Sequence, residues 1–95
     1  MSSRRKLKKD VNNLCYEVIN ECFSFLDHSP SLNQENVQVI ISDAVELRNQ
    51  LISKINHPEH EGSSPRSVKA YYRQIKEELY ENTISLIERL NSLPR

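Results

Sequence analysis

Three long segments of the sequence contain apolar residues at helical spacing. This pattern restricts the possible folds more than any other feature of the chain. In each segment an apolar residue recurs every three or four positions, which places a stripe on one face of an α-helix. The segments contain Leu7, Val11, Leu14, Cys15, Val18, Ile19, Cys22, Phe25 and Leu26; then Val37, Ile40, Ile41, Ala44, Leu47, Leu51 and Ile55; then Val68, Tyr72, Ile75, Leu79, Leu86, Leu90 and Leu93. One glycine in 95 residues disfavours a sheet, since hairpin turns are rich in glycine. The pattern predicts an all-α protein.

Proline and short polar residues mark where the helices begin and end. Pro30 breaks the chain after the first segment, and Ser31 with Gln34 can then form a capping-box-like pair. Asn33 is the alternative cap for the second helix. We therefore expect the first two helices over about residues 4–27 and 32–56.

The third helix has the clearest start. Pro58 disfavours a helical conformation at the residue before it, so the second helix ends near residue 56. Ser64 and Pro65 then suit the N-cap and first helical positions of a helix over about residues 65–92. Three helices of similar length with short connections predict an antiparallel up-down-up three-helix bundle, with residues 1–95 in a single domain.

In this topology the starts of the first and third helices meet the end of the second at one end of the bundle, here called the basic end. Residues 1–9 carry five cations and no acid, although the chain has 13 of each charge. Two interpretations are open. Residues 1–9 are either a frayed basic tail, with Asp10 as the cap of the stable helix, or the first turns of the helix, whose positive charge serves to bind a partner. We expect most of the core at the other end, where the apolar stripes are broader.

A second cationic group lies at the start of the third helix. Arg66, Lys69, Arg73 and Lys76 step by three, four and three residues and so share one helix face; they are here called the basic row. Such a row either binds an anionic partner or is a solvated face. The candidate residues for binding a partner or an anion are Arg66, Lys69, Arg73, Lys76, His57, Glu59 and Tyr71.

Several kinds of chemistry are disfavoured. His57 and His60 form H-x-x-H in a proline-containing loop rather than H-E-x-x-H on a helix, so we predict no metal and no cofactor. Cys15 and Cys22 lie about 10.5 Å apart along a helix axis, too far for a disulfide, and are expected in the core. We find no catalytic constellation and predict that the protein is not an enzyme.

The most favoured function is a small non-catalytic protein-interaction module. Nucleic-acid or small-anion binding through the basic end is the alternative, disfavoured by zero net charge and by the lack of a helix-turn-helix or stacking motif. Tyr80, Ile84 and Ile87 form a second apolar row, which predicts a homodimer if the bundle leaves it uncovered. With no apolar run near 18 residues and no signal-peptide core, a cytoplasmic protein is expected.

Two short motifs carry a resemblance to a known group. Residues 55–59 (Ile-Asn-His-Pro-Glu) and 69–72 (Lys-Ala-Tyr-Tyr) follow a basic start, and in this order the chain resembles a group of short, uncharacterised, all-helical bacterial proteins. The resemblance covers nearly the whole chain. It implies a bacterial helical bundle and no particular activity.

Overall fold

A computed structural model describes residues 2–28, 33–57 and 65–94 of the chain. They form three helices: α1 spans Ser2–His28, α2 spans Gln34–Asn56 and α3 spans Pro65–Asn91. The described residues contain no strand. The predicted all-α class is confirmed, and each helix begins and ends within two residues of its predicted limit.

Helix α1 includes the basic block at the start of the chain. It runs without interruption from Ser2 through Asp10, so Asp10 does not cap its start. Leu7 and Val11 are both buried, and they fix this first part of α1 to the other helices. Arg4 Nη2 lies 3.5 Å from the carbonyl oxygen of Asn56, the last residue of α2. The start of α1 therefore meets the end of α2, as an antiparallel pair requires.

Helix α2 has Asn33 at its N-cap, the alternative cap predicted from the sequence, but without the side-chain hydrogen bond of a cap. Asn33 has φ 62° and ψ 20°. A left-handed conformation suits asparagine better than most residues. The side chain instead donates from Nδ2 to the carbonyl oxygen of Pro94 at 2.6 Å, which ties the start of α2 to the end of α3. Ser31, the other predicted cap, lies outside the described residues.

The core consists of two clusters that fix the direction of the helices. At the basic end, buried residues come from the first half of α1, the end of α2 and the first half of α3: Leu7, Val11, Cys15, Leu51, Ile55, Ile75 and Leu79. At the other end they are Val18, Cys22, Phe25, Val37, Ile40, Ala44, Leu86 and Leu90. This arrangement is the predicted up-down-up order. The expectation that most of the core lies away from the basic end is wrong, because the two clusters are of similar size.

Both cysteines belong to this core, as predicted. Cys15 and Cys22 are free thiols with no exposed surface. Burial raises the pKa of Cys15 to about 11, against the opposing charge of Arg48. Burial, with a smaller contribution from the carboxylate of Glu21, also raises the pKa of Cys22. Both side chains are therefore neutral packing groups at physiological pH.

Candidate functional site

The three sides of the bundle, each formed by a pair of helices, differ in the contacts between those helices. The side between α2 and α3 carries two ion pairs, Lys54 with Glu78 and Arg89 with Asp43, each at 2.9 Å. Between α1 and α2, Arg48 Nε donates to Asn12 Oδ1 at 2.8 Å. Polar contacts therefore bridge these two sides.

The side between α1 and α3 instead holds an apolar groove of about 590 Å³. Its apolar lining consists of Leu14, Val18, Tyr80, Ile84 and Ile87. Tyr80 is 42% exposed and Ile84 is 57% exposed, so two large apolar side chains face solvent here. The buried Thr83 also lines the groove, and its hydroxyl donates to the carbonyl oxygen of Leu79 at 2.8 Å. The hydroxyl proton of Thr83 therefore takes part in a hydrogen bond within α3.

Three carboxylates border this groove. Glu17 and Glu21 come from α1 and Glu88 comes from α3, and all three residues are exposed. Glu17 and Glu21 are four residues apart, so they lie one turn apart on the same face of α1. These three residues are here called the acidic rim. An apolar groove with an acidic rim suits a partner surface that is apolar in the middle and cationic at its border.

The basic row lies on the same flank of α3 as the groove. Its four residues are all exposed, and none has an ion pair or a side-chain hydrogen bond to any residue that the structure describes. From Lys69 the row continues through Arg73, Lys76, Tyr80, Ile84 and Ile87 in steps of four, three, four, four and three residues. At about 100° per residue these positions form one continuous stripe along α3. We call the groove, the acidic rim and the basic row together the α1/α3 face.

The other predicted site residues lie elsewhere. Tyr71 is about 140° to 160° around α3 from the basic row, at 100° per residue, and faces α2. Its hydroxyl donates to the carbonyl oxygen of Lys54 at 3.0 Å. Tyr71 and His57 line a separate pocket of about 400 Å³ together with Lys54 and Glu78. The predicted set is thus divided between two sides of the bundle, and Glu59 lies outside the described residues.

The contacts of Tyr71 and His57 are structural. The ring of Tyr71 packs edge to face on the ring of Tyr72, with centroids 5.5 Å apart and planes at 80°. His57 follows α2 as its C-cap, and its backbone N–H donates to the carbonyl oxygen of Ser53 at 2.8 Å. The backbone of His57 therefore satisfies a carbonyl in the last turn of α2. Both residues help to close the basic end between α2 and α3.

Other large apolar residues are exposed outside the α1/α3 face. Tyr16 and Phe23 on α1 are 52% and 53% exposed, and Val39 and Val45 on α2 are 53% and 44% exposed. None of these four lines the groove between α1 and α3. Val39 lies two residues from the buried Val37, so it is on the outer side of α2. These positions provide matched controls for Ile84, because their exposure is similar.

The sequence pattern predicts both the basic row and the apolar row of Tyr80, Ile84 and Ile87. It was not recognised that the two rows form one continuous stripe on α3. The signal was the four-residue step from Lys76 to Tyr80, which continues one row into the other. The acidic rim was also missed, since Glu17 and Glu21 reach the groove only because α1 packs beside α3. Their spacing of four residues was visible, but not the helix that they would face.

Comparisons of the chain with family models, curated proteins and solved structures found no match. The resemblance to a group of bacterial helical proteins stays a prediction.

Within residues 2–28, 33–57 and 65–94, the structure shows no group of three or more His, Cys, Asp or Glu residues that could hold a metal ion. Nor is any described helix both long and apolar enough to cross a membrane.

Proposed function

We propose that this protein is a small non-catalytic interaction module that binds another protein through its α1/α3 face. The observation that carries the proposal is the exposure of Tyr80 and Ile84, 42% and 57%, in a single groove between two helices. Exposed apolar side chains are common singly, but contiguous ones with polar borders are typical of protein-interaction sites. The cytoplasmic location predicted from the sequence forms part of this proposal.

The composition of the face supports a protein partner. A tyrosine and two isoleucines lie at its middle, while carboxylates and cations lie at its borders. Protein interfaces commonly have an apolar centre enriched in aromatic residues and a polar rim. Tyrosine is also frequent among the residues whose truncation weakens binding most. The groove is therefore the part of the face where we expect most of the binding energy.

Photo-crosslinking in cells that make the protein naturally tests the proposal. A photoreactive phenylalanine analogue is placed at position 84 in one variant and at position 39 in another. Ile84 and Val39 have nearly equal exposure, 57% and 53%, but only Ile84 lies in the groove. We expect a defined crosslinked protein from position 84, and at least tenfold less product from position 39.

The specificity of that product is checked with a second change in the groove. Adding Tyr80→Ser to the variant labelled at position 84 should reduce the product severalfold, because Tyr80 supplies exposed apolar area beside the label. Mass spectrometry then identifies the captured chain. Equal labelling from positions 84 and 39, or labelling unaffected by Tyr80→Ser, would contradict the proposal.

A second candidate function is the binding of nucleic acid or a small anion through the basic row. The observation that favours it is that four exposed cations in line have no anionic partner among the described residues. Phosphate contacts made by such a row weaken steeply as salt displaces them. Fluorescence anisotropy with a labelled oligonucleotide at low and physiological salt measures this. Arg73→Gln should then weaken binding, while Arg89→Gln, which removes a cation already paired with Asp43, should not.

A further inference from the structure

We infer that the partner of the α1/α3 face is an amphipathic helix of another protein, whose apolar stripe fills the groove and whose Lys or Arg side chains meet the acidic rim. This inference rests on the proposed function and names the chemistry of its partner. It is argued from the length of the groove, from the hydrogen-bonding groups along it and from the charges at its border.

The groove is long enough for two turns of a helix. Its lining runs from Leu14 to Glu21 on α1 and from Tyr80 to Glu88 on α3. At 1.5 Å per residue these spans are about 10.5 Å and about 12 Å. Two turns of an α-helix cover about 10.8 Å, so apolar residues of a bound helix at positions i, i+3 or i+4, and i+7 all reach the groove.

The groove favours a helix over an extended segment because its middle offers no backbone hydrogen bonds. Both walls are helices, and the N–H and C=O groups in the middle of a helix are paired within it. The hydroxyl proton of the buried Thr83 is bonded to the carbonyl oxygen of Leu79. An extended segment buried here would leave its own backbone groups unpaired, whereas a helix pairs them internally.

The acidic rim calls for a cationic border on that helix. Among the residues that the structure describes, the groove is lined by the carboxylates of Glu17, Glu21 and Glu88 and by no Lys, Arg or His. None of the three forms an ion pair with another described residue, and none has a cation three or four positions away in the sequence. Glu17 and Glu21 repel each other across one turn. Cations of a bound helix would offset this repulsion, and complementary charges favour such a partner over an acidic one.

The basic row limits where those cations can lie. Since α1 and α3 both start at the basic end, Tyr80 lies at the end of the groove nearer to it, and Lys76 is one turn before Tyr80. Glu21 and Glu88 lie at the opposite end of the groove. The partner helix should therefore carry its cations beside Glu21 and Glu88, and neutral or acidic residues beside Lys76.

Fluorescence anisotropy of a labelled peptide mixed with the purified full chain tests this chemistry. The probe is a peptide of about 14 residues with a leucine stripe and with lysines beside one half of the stripe. A hydrocarbon staple on its outer face keeps it helical, since isolated helices this short are marginal in water. The matched peptide has glutamates in place of the lysines. One exposed ion pair changes affinity about 1.4- to fivefold, so with three carboxylates at the groove we expect the lysine peptide to bind at least tenfold more tightly.

Variants of the chain test whether the groove and its rim cause this preference. The double variant Glu17→Lys with Glu21→Lys should abolish it. Glu81→Lys makes the same change at an exposed position of α3 outside the groove and should preserve it. Tyr80→Ser should weaken binding of the lysine peptide severalfold, while Val39→Ser should not. Far-UV circular dichroism confirms that the variants fold.

Four results of these measurements would overturn the inference. The first is no measurable binding of the lysine peptide, and the second is equal binding of the two peptides. The third is an equal loss of preference in Glu81→Lys and in the double variant. The fourth is a dimer in sedimentation velocity that Tyr80→Ser dissociates, since a second copy would then occupy the groove.

The protein crosslinked from position 84 in the cell gives an independent test on the natural partner. We expect the crosslinked residue to lie in a helix that has apolar residues at three- and four-residue spacing and Lys or Arg beside them. Capture through an extended or acidic segment, or capture of this same chain, would overturn the inference and leave the proposed function intact. Capture of no protein at all would instead contradict the proposed function itself.

Discussion

Leu79 and Ile84 lie about 1.4 turns apart on α3, and the structure predicts that they stabilise the protein very differently. Leu79 has no exposed surface and belongs to the core cluster at the basic end. Leu79→Ala removes buried methyl groups and leaves a cavity, which costs about 3 kcal/mol, within the usual range of 2–5 kcal/mol. Domains of this size have only about 5–14 kcal/mol of total stability, so this is a large fraction.

Ile84→Ala is the matched substitution in the groove. Because Ile84 is 57% exposed, only about two fifths of its side chain is removed from water in the monomer. Full burial of such a side chain is worth about 1.5–3 kcal/mol, so we expect Ile84→Ala to cost less than about 1 kcal/mol. The two substitutions should therefore differ by about 2 kcal/mol in their free energies of unfolding.

Urea denaturation followed by far-UV circular dichroism measures this difference. With a denaturant dependence near 1 kcal/mol per molar, Leu79→Ala should lower the urea midpoint by about 3 M and Ile84→Ala by less than about 1 M. The protein is kept below about 1 µM, since self-association would add stability to the folded state. Equal losses for the two variants would mean that Ile84 is a core residue, and the reasoning about an exposed groove would be refuted.

Three further predictions concern the fold. Raising the pH from 9 to 11 should destabilise the natural chain by about 2 kcal/mol more than Cys15→Ala in urea denaturation, because the thiol has a pKa of 9.0 when exposed and about 11 when buried. Below pH 8 this difference should be constant, and a difference that does not change up to pH 11 would contradict the burial of the thiol. Tyr71→Phe removes the hydrogen bond to the carbonyl of Lys54 and should cost about 1 kcal/mol by thermal unfolding; no loss would show that water replaces the hydroxyl fully. Asn33→Ala combines loss of the bond to Pro94 with a left-handed conformation that alanine tolerates poorly, so it should cost about 2 kcal/mol, and a neutral effect would argue against this geometry.

The fold was predictable from the sequence because local rules determine most of it. Apolar spacing and proline placement predicted three helices, and Pro65 begins α3 as expected. The up-down-up order followed from the short connections between helices of similar length. The start of α2 was less predictable. Asn33 takes its conformation with a contact to Pro94, 61 residues away, and local capping rules do not include such a contact.

The candidate site was only partly predictable. A helical stripe shows which residues share a face of one helix, so the basic row and the row of Tyr80, Ile84 and Ile87 were both visible. Which face of α1 borders that stripe depends on packing, and for this reason the acidic rim appeared only in the structure. Tyr71 was grouped with the basic row because the two are close in sequence. Its contact with Lys54 places it on the opposite flank of α3.

Hydroxyl-radical footprinting tests most directly whether the α1/α3 face is covered by a protein partner. Tyr80 and Tyr16 are 42% and 52% exposed in the monomer, and only Tyr80 lines the groove, so Tyr16 is an internal control. The ratio of Tyr80 to Tyr16 oxidation is compared between dilute purified protein and the native cell. We predict that this ratio falls at least threefold in the cell, because a partner covers Tyr80. An unchanged ratio would contradict the central claim that this face is an interaction surface.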